Sequence, residues 1–209
     1  MRFTLKYVGS ELKSSGNKQP RTEEKQLLRA HWHSQLKQIW DASNVLQFID
    51  RSKLPEPVSK HDVWDVGDEK VVADMPLKGF MYRRKLHDSW FVPLITPRME
   101  AHCRLAIRLG RPTKPGKLIY EGGDLDGRLK TLFDSLAVPK NEDQVERRDC
   151  SLPEYLCLLG DDSLITDLSI ESYQLLGETR PNWVDIDAEV TVTAVTPMSG
   201  TYSLLFGGP

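Results

Sequence analysis

The chain has 209 residues, of which 39% are hydrophobic and 28% are charged, and its formal net charge is -2. This length suits one domain with its own hydrophobic core, so neither disulfides nor a structural metal ion is needed for stability. No apolar run approaches the roughly 18 residues of a membrane span, and the first residues alternate like a strand and not like a signal peptide. We therefore expect a cytoplasmic protein, and the odd number of cysteines (Cys103, Cys150, Cys157) agrees with free thiols.

The first half of the chain is predicted to contain three strands and one long helix. Alternating hydrophobic residues predict a strand over 3–8, and a broad apolar stripe predicts a helix over about 21–42. Residues 43–90 show no clear periodicity and contain proline breaks, so we interpret them as an insertion. Strands follow over 91–96 and 103–109, and the second of these has one polar face.

The second half is predicted to contain one helix and two strands. Leucines and a phenylalanine at helical spacing predict a helix over about 126–137. Residues 139–158 are acidic and irregular, and we interpret them as a second insertion with a short helix near Tyr155. Strands are predicted over 164–176 and 186–194. The order β-α-β-β-α-β-β, with no internal repeat, predicts a single α/β domain of the α+β type, in which a mixed β-sheet packs against helices.

Charge is distributed unevenly along the chain. Residues 2–37 carry eight basic and three acidic side chains, and residues 98–117 carry six basic side chains and one acid. From Pro139 onward, four basic side chains face thirteen acids. A basic first half and an acidic last third could make a polarised molecule that binds nucleic acid, although the same charges could also scatter over all faces.

A carboxylate-rich motif stands at the start of the second predicted helix. If Asp124 ends an extended segment and Asp126 is the N-cap of the helix, both carboxylates lie at one junction. Asp126, Lys130 and Asp134 are spaced by four residues, so they share one polar face of the helix. Each of these features also has an ordinary structural explanation, as a helix cap or as surface ion pairing.

A second acidic pair, Asp161 and Asp162, follows an apolar run and precedes a predicted strand. Clustered aspartates repel one another unless a cation offsets their charge, and hard oxygen ligands select magnesium, manganese or calcium instead of zinc. A solvated turn would explain the pair equally well on its own. In combination with the helix motif, the pair predicts a divalent metal site suited to phosphoryl chemistry.

The two motifs together resemble the RusA family of Holliday junction resolvases. The stretch DLDGRLKTLFDSL and the later GDDSLITDLSI carry the resemblance, with Gly127 where that family usually has asparagine. The resemblance implies a homodimeric, magnesium-dependent endonuclease, with manganese as an alternative ion, that cleaves branched DNA in recombination and repair. It also implies the site residues, namely Asp124, Asp126 and Asp162 as metal ligands, Lys130 as the essential lysine, and Asp134 and Asp161 as further candidate ligands.

Basic residues outside this motif are candidates for binding the DNA backbone. Arg104 and Arg108 project from the polar face of a predicted strand, and Lys18 and Arg21 lie around the start of the first helix. An exposed sheet face is the alternative interpretation of the two arginines. Two other functions stay open, a catalytically inactive RusA-like nucleic-acid-binding protein and a protein-interaction module that uses the acidic C-terminal third.

Overall fold

The structure, a computed structural model, describes residues 1–10, 12, 18–44, 46–57, 81–112, 125–145, 147, 150–176 and 183–194. Within these ranges the side chains of 18–21, 125, 126 and 194 are not described. The described elements are β1 (Arg2–Ser10), α1 (Lys18–Ala42), β2 (Arg84–Leu86), β3 (Ser89–Ile95), β4 (Ala101–Arg111), α2 (Leu125–Leu136), β5 (Glu154–Leu159), β6 (Ile165–Gln174) and β7 (Trp183–Ala194). Strands and helices packed in this way confirm the predicted α+β fold class.

The strands form two sheets, and the chain passes directly from one sheet into the other at two places. Sheet A has four strands in the order β1-β7-β4-β6, and sheet B has three in the order β2-β3-β5. The β4–β6 and β3–β5 pairs are parallel, whereas the other neighbours are antiparallel. Because β3 leads into β4 and β5 leads into β6, the parallel pair of sheet B continues into the parallel pair of sheet A.

Both continuing strands are interrupted at the same level, which we call the sheet junction (residues 96–100 and 160–164). A single 3-10 turn lies in each interruption, Pro97–Met99 in the first and Asp162–Leu164 in the second. The backbone N–H of Gly160 donates to the carbonyl of Ile95 at 2.7 Å and so joins the two segments. The predicted Asp161–Asp162 pair therefore lies where one sheet passes into the other.

Helices α1 and α2 pack together, and α1 also packs against β5, so that the main core forms on one side of the sheets. The strict alternation in β4 buries residues such as Leu105 and Ile107 and leaves Arg104 and Arg108 exposed. Between the helices, the indole N–H of Trp32 donates to Ser135 Oγ at 3.0 Å. No described helix combines the length and apolar character of a membrane span.

The predicted short helix near Tyr155 is wrong, because these residues form strand β5. Glu154–Leu159 is buried along almost its whole length, and the Tyr155 ring stacks on Phe91 at a centroid distance of 5.2 Å. A parallel strand covered on both faces has no hydrophobic alternation, so its sequence resembles that of a buried helical turn. Residues 154–158 of the predicted insertion are thus part of sheet B.

Strand β2 was not predicted either, since it lies at the end of the 43–90 segment. It forms a hairpin with β3 through a turn at His87 and Asp88, and His87 has a φ of 52°. Residues 58–80 of the predicted insertion lie outside the described residues. Helix α2 begins at Leu125, so Asp126 is in the first turn of the helix and not at its N-cap. An aspartate in the first turn still interacts favourably with the helix dipole.

Candidate metal and nucleic-acid site

Helix α2 carries the first half of the predicted site. The spacing of Asp126, Lys130 and Asp134 places the three on one face of this helix. Lys130 is exposed, and no ion pair joins it to any side chain that the structure describes. Asp124 and the side chain of Asp126, two of the predicted ligands, lie outside the described residues.

Asp134 connects α2 to α1. Lys25 Nζ lies 2.6 Å from Asp134 Oδ2, and both side chains are mostly buried. The guanidinium of Arg29 donates to the backbone carbonyl of Asp134 at 2.5 Å. Burial lowers the pKa of Arg29, and the nearby Cys157 and Asp134 act in the opposite direction. Two cations of α1 are therefore committed to the protein interior and are not available to a nucleic acid.

The Asp161–Asp162 pair binds Lys140, a lysine that lies outside both sequence motifs. Lys140 Nζ lies 3.0 Å from Asp161 Oδ2 and 3.8 Å from Asp162 Oδ1. Asp161 Oδ1 also accepts a hydrogen bond from the backbone N–H of Ser163 at 3.0 Å. Burial raises the pKa of Asp161, but the bonds from Ser163 and Lys140 outweigh burial and leave the pKa below its ordinary value.

The C-terminal end of α2 lies beside the Asp161–Asp162 pair and Lys140. Val138 N–H donates to the Leu159 carbonyl at 2.9 Å, which fixes the end of α2 beside the end of β5. The hydrogen bond to Asp161 raises the pKa of Lys140, with further contributions from Asp162 and Asp134. The Asp161–Asp162 pair and its lysine therefore lie at the C-terminal end of the helix that carries Asp134.

Asp126 lies at the opposite end of the same helix. Eight residues separate it from Asp134, which corresponds to roughly 12 Å along a helix axis. Among the side chains that the structure describes, no three acids, histidines or cysteines come close enough to hold a metal ion. The described part of the site is therefore the Asp161–Asp162 pair with Lys140.

The donor chemistry of this pair suits a divalent cation. Asp161 and Asp162 supply carboxylate oxygens. Such hard oxygen ligands favour magnesium and manganese over zinc. Asp162 is half exposed, so it can be reached from solvent. Lys140 already supplies a positive charge at the pair, which offsets the repulsion between the two carboxylates. A metal ion at this position would compete with the lysine.

Arg104 and Arg108, the predicted DNA-binding arginines, lie on the exposed face of β4 with acids beside them. Arg104 Nε is 3.2 Å from Asp167 Oδ2, and Arg108 Nε is 3.4 Å from Glu171 Oε2. Each acid stands directly opposite its arginine in the β4–β6 register. A DNA phosphate that binds here would have to displace a carboxylate from each arginine.

The whole outer face of sheet A follows this pattern of basic and acidic strands. Strand β1 contributes Arg2 and Lys6, which pair with Glu189 and Asp187 of the neighbouring β7. The order across the sheet is therefore basic, acidic, basic, acidic, so the face has no continuous positive stripe among the described residues. Lys18 and Arg21 lie in the first turns of α1, and their side chains are outside the described residues.

In the sequence, Lys140 is an isolated lysine at the start of an acidic segment, and this pattern alone does not predict a role in the site. Its role depends on the contact between the ends of α2 and β5, which spacing alone does not predict. Comparisons of the chain with protein-family models, with curated proteins and with solved structures found no match. Function is therefore inferred from these residues and their geometry.

Proposed function

We propose that this protein is a magnesium-dependent, structure-selective endonuclease that hydrolyses phosphodiester bonds in branched DNA as a homodimer. One observation carries the proposal. The hydrogen bond from Val138 N–H to the Leu159 carbonyl places the end of the helix that bears the Asp126–Lys130–Asp134 face beside the Asp161–Asp162 pair, although the two are distant in sequence. Such an arrangement is expected if the two halves of the motif serve one charged site.

The residues have distinct roles in this proposal. Asp124, Asp126 and Asp162 would hold the metal ion, which would supply a Lewis acid and an activated water for attack on phosphorus. Lys130 is exposed on the same helix face, so its ammonium can stabilise negative charge on the phosphate oxygens. Asp161, fixed by the Ser163 N–H and by Lys140, orients the neighbouring Asp162.

The test is cleavage of four-way, flapped and linear DNA of equal length in magnesium or manganese. We expect the branched substrates to be cleaved, and Asp126→Asn and Asp162→Asn to lower the rate by about a hundredfold or more, since each removes a charged ligand. Asp41→Asn is the matched control, because Asp41 is a half-exposed aspartate that pairs with Lys37 on α1. The proposal is wrong if the folded wild type cleaves none of these substrates with either ion.

A non-catalytic interaction protein is the second candidate, and Lys140 is the observation that favours it. A built-in ammonium beside Asp161 and Asp162 neutralises the pair without any metal ion. This candidate includes DNA binding without cleavage and protein binding through the acidic C-terminal third. It predicts that partner binding is the same in magnesium and in a chelator, and that Asp126→Asn does not change it.

A further inference from the structure

A polar pocket lies beside the Asp161–Asp162 pair, and Lys140 belongs to both. The pocket has a volume of about 310 Å³ and lies between β2 and the turn that follows α2. This volume is at the lower end of the range for small-molecule sites. Its wall contains both signs of charge, from the cations Arg84, Lys85 and Lys140 and from the acids Glu56, Glu142 and Asp143.

Two buried polar atoms of pocket residues have no hydrogen-bond partner in the part of the chain that the structure describes. Arg84 is only 6% exposed, and its Nη1 donates to the carbonyls of Pro139 and Lys140 at 3.0 and 3.2 Å. Its other terminal nitrogen, Nη2, has no acceptor, and Asn141 Oδ1 has no donor, among the residues that the structure describes. Buried groups of this kind are normally satisfied, so this part of the pocket wall contains a donor and an acceptor that are unpaired among the described residues.

The backbone of Lys85 adds a second donor and acceptor. The N–H of Trp90 donates to the Pro153 carbonyl at 2.9 Å, which points it away from β2. Lys85 and Trp90 face each other in the antiparallel β2–β3 pair, so theirs is a pair without mutual hydrogen bonds. The N–H and C=O of Lys85 therefore point away from β3, toward the side of β2 where the N–H of Arg83 donates to the Pro55 carbonyl at 3.0 Å.

We propose that this pocket binds a phosphate ester that also carries hydroxyl or amino groups, which is the chemistry of a mononucleotide. The phosphate oxygens accept hydrogen bonds from Arg84, Lys85 and Lys140, as anions do from charged donors. The hydroxyl and amino groups donate to the carboxylates of Glu56, Glu142 and Asp143, which also line the pocket. A bare anion leaves those carboxylates unmatched, whereas a mononucleotide satisfies both signs of charge.

This binding goes beyond the proposed cleavage and does not require a metal ion. The experiment is isothermal titration of the full chain, in a chelator, with deoxyadenosine 5′-monophosphate, deoxyadenosine and inorganic phosphate as separate probes. We expect the monophosphate to bind best and to exceed the nucleoside by about tenfold or more, because the phosphate makes charge-assisted hydrogen bonds.

Lys85→Gln is the informative variant because Lys85 is exposed and its loss leaves the core intact. It should weaken binding of the monophosphate about fivefold, whereas Lys37→Gln, an exposed lysine of α1 that does not line the pocket, should leave affinity unchanged. Arg84→Lys should weaken binding further, and thermal unfolding of this variant checks that it folds.

Any one of three results would overturn the proposal that this pocket binds a mononucleotide. The first is that folded wild type does not bind the monophosphate, and the second is that Lys85→Gln and Lys37→Gln bind it with equal affinity. The third is that inorganic phosphate binds as tightly as the monophosphate. The titrations contain no magnesium and do not measure cleavage, so their outcome does not depend on whether the protein is a nuclease. Nucleotide binding without any DNA cleavage would support the binding pocket and reject the nuclease proposal. DNA cleavage without nucleotide binding would support the nuclease proposal and reject the binding pocket.

Discussion

Replacing Gly160 with alanine tests how tightly the sheet junction is packed around the Asp161–Asp162 pair. A Cβ at Gly160 would lie 2.8 Å from the hydroxyl of Tyr82 and 3.4 Å from the carbonyl oxygen of Ile95. Tyr82 is only 1% exposed and donates to the Gly160 carbonyl at 3.2 Å, so its ring has no free space to move into. The added methyl group must therefore displace either the tyrosine or the junction backbone.

The expected loss of stability is about 2–4 kcal/mol in the free energy of unfolding. Inserting a methyl group into a well-packed interior costs about 1–3 kcal/mol, and disturbing the hydrogen bond from Tyr82 adds about 1 kcal/mol. In a chain of this size each kcal/mol lowers the melting temperature by about 2–4 °C, so the midpoint should fall by about 4–16 °C.

The assay is thermal and urea unfolding of Gly160→Ala, Tyr82→Phe and the double variant. Removing the tyrosine hydroxyl takes away the atom that the methyl group meets. The stability lost in the double variant should therefore be smaller than the sum of the two single losses by about 1 kcal/mol. Gly110→Ala is the matched control. Its Cβ would meet the ring of Tyr173 at 2.6 Å, but that ring is only half-buried on edge strand β6 and can rotate away.

Two outcomes would refute this reasoning about the junction. One is strict additivity of Gly160→Ala and Tyr82→Phe, which would mean that the methyl group does not meet the hydroxyl. The other is an equal loss from Gly110→Ala, which would mean that the rigidity of the neighbouring tyrosine has no effect.

Three further outcomes follow from buried or paired groups. Arg29→Ala should lower the free energy of unfolding by about 3 kcal/mol in urea, since it opens a cavity and leaves a helix carbonyl unpaired, whereas Arg29→Met should lose less. Lys140→Met should be less stable than wild type above about pH 5, and this difference in stability should disappear as the pH falls through the pKa that Asp161 has in the folded protein. The reason is that a lowered carboxyl pKa stabilises the fold fully only above the pKa of the unfolded chain, about 3.9 for aspartate. Burial raises the pKa of Cys157 to about 12, so a thiol reagent at pH 8 should modify half-buried Cys150 and spare Cys157 until unfolding, as peptide mass spectrometry would show. Equal labelling of the two thiols, or a Lys140→Met difference that persists in acid, would contradict these expectations.

Periodicity predicted the elements that have one buried and one exposed face. Strand β4 alternates because its inner face packs in the core and its outer face is in water, and α2 shows the corresponding helical spacing. Strand β5 has no exposed face, so its residues gave no alternation and were assigned to a helix. Its place beside β3 depends on residues far away in the chain, which local patterns do not contain.

The candidate site was predictable to the same extent. The spacing of Asp126, Lys130 and Asp134 is sufficient by itself to define one face of a helix. The carboxylate partners of Arg104 and Arg108 depend instead on the register of β4 with β6, and the contact between Lys140 and Asp161 depends on where β5 ends. These are tertiary relations, and the spacing of residues along the chain carries no information about them.

The position of β7 inside sheet A has a consequence for the order of folding. Thr191 of β7 pairs with Arg2 of β1, and the amino group of Met1 donates to the carbonyl of Val192 at 3.0 Å, so the sheet joins segments from nearly opposite parts of the chain. While residues 183–194 are still inside the ribosome, β1 has no partner and β4 keeps one edge unpaired. Closing so large a loop is slow, and unpaired strand edges attract other chains, so the nascent protein should depend on chaperones until β7 emerges.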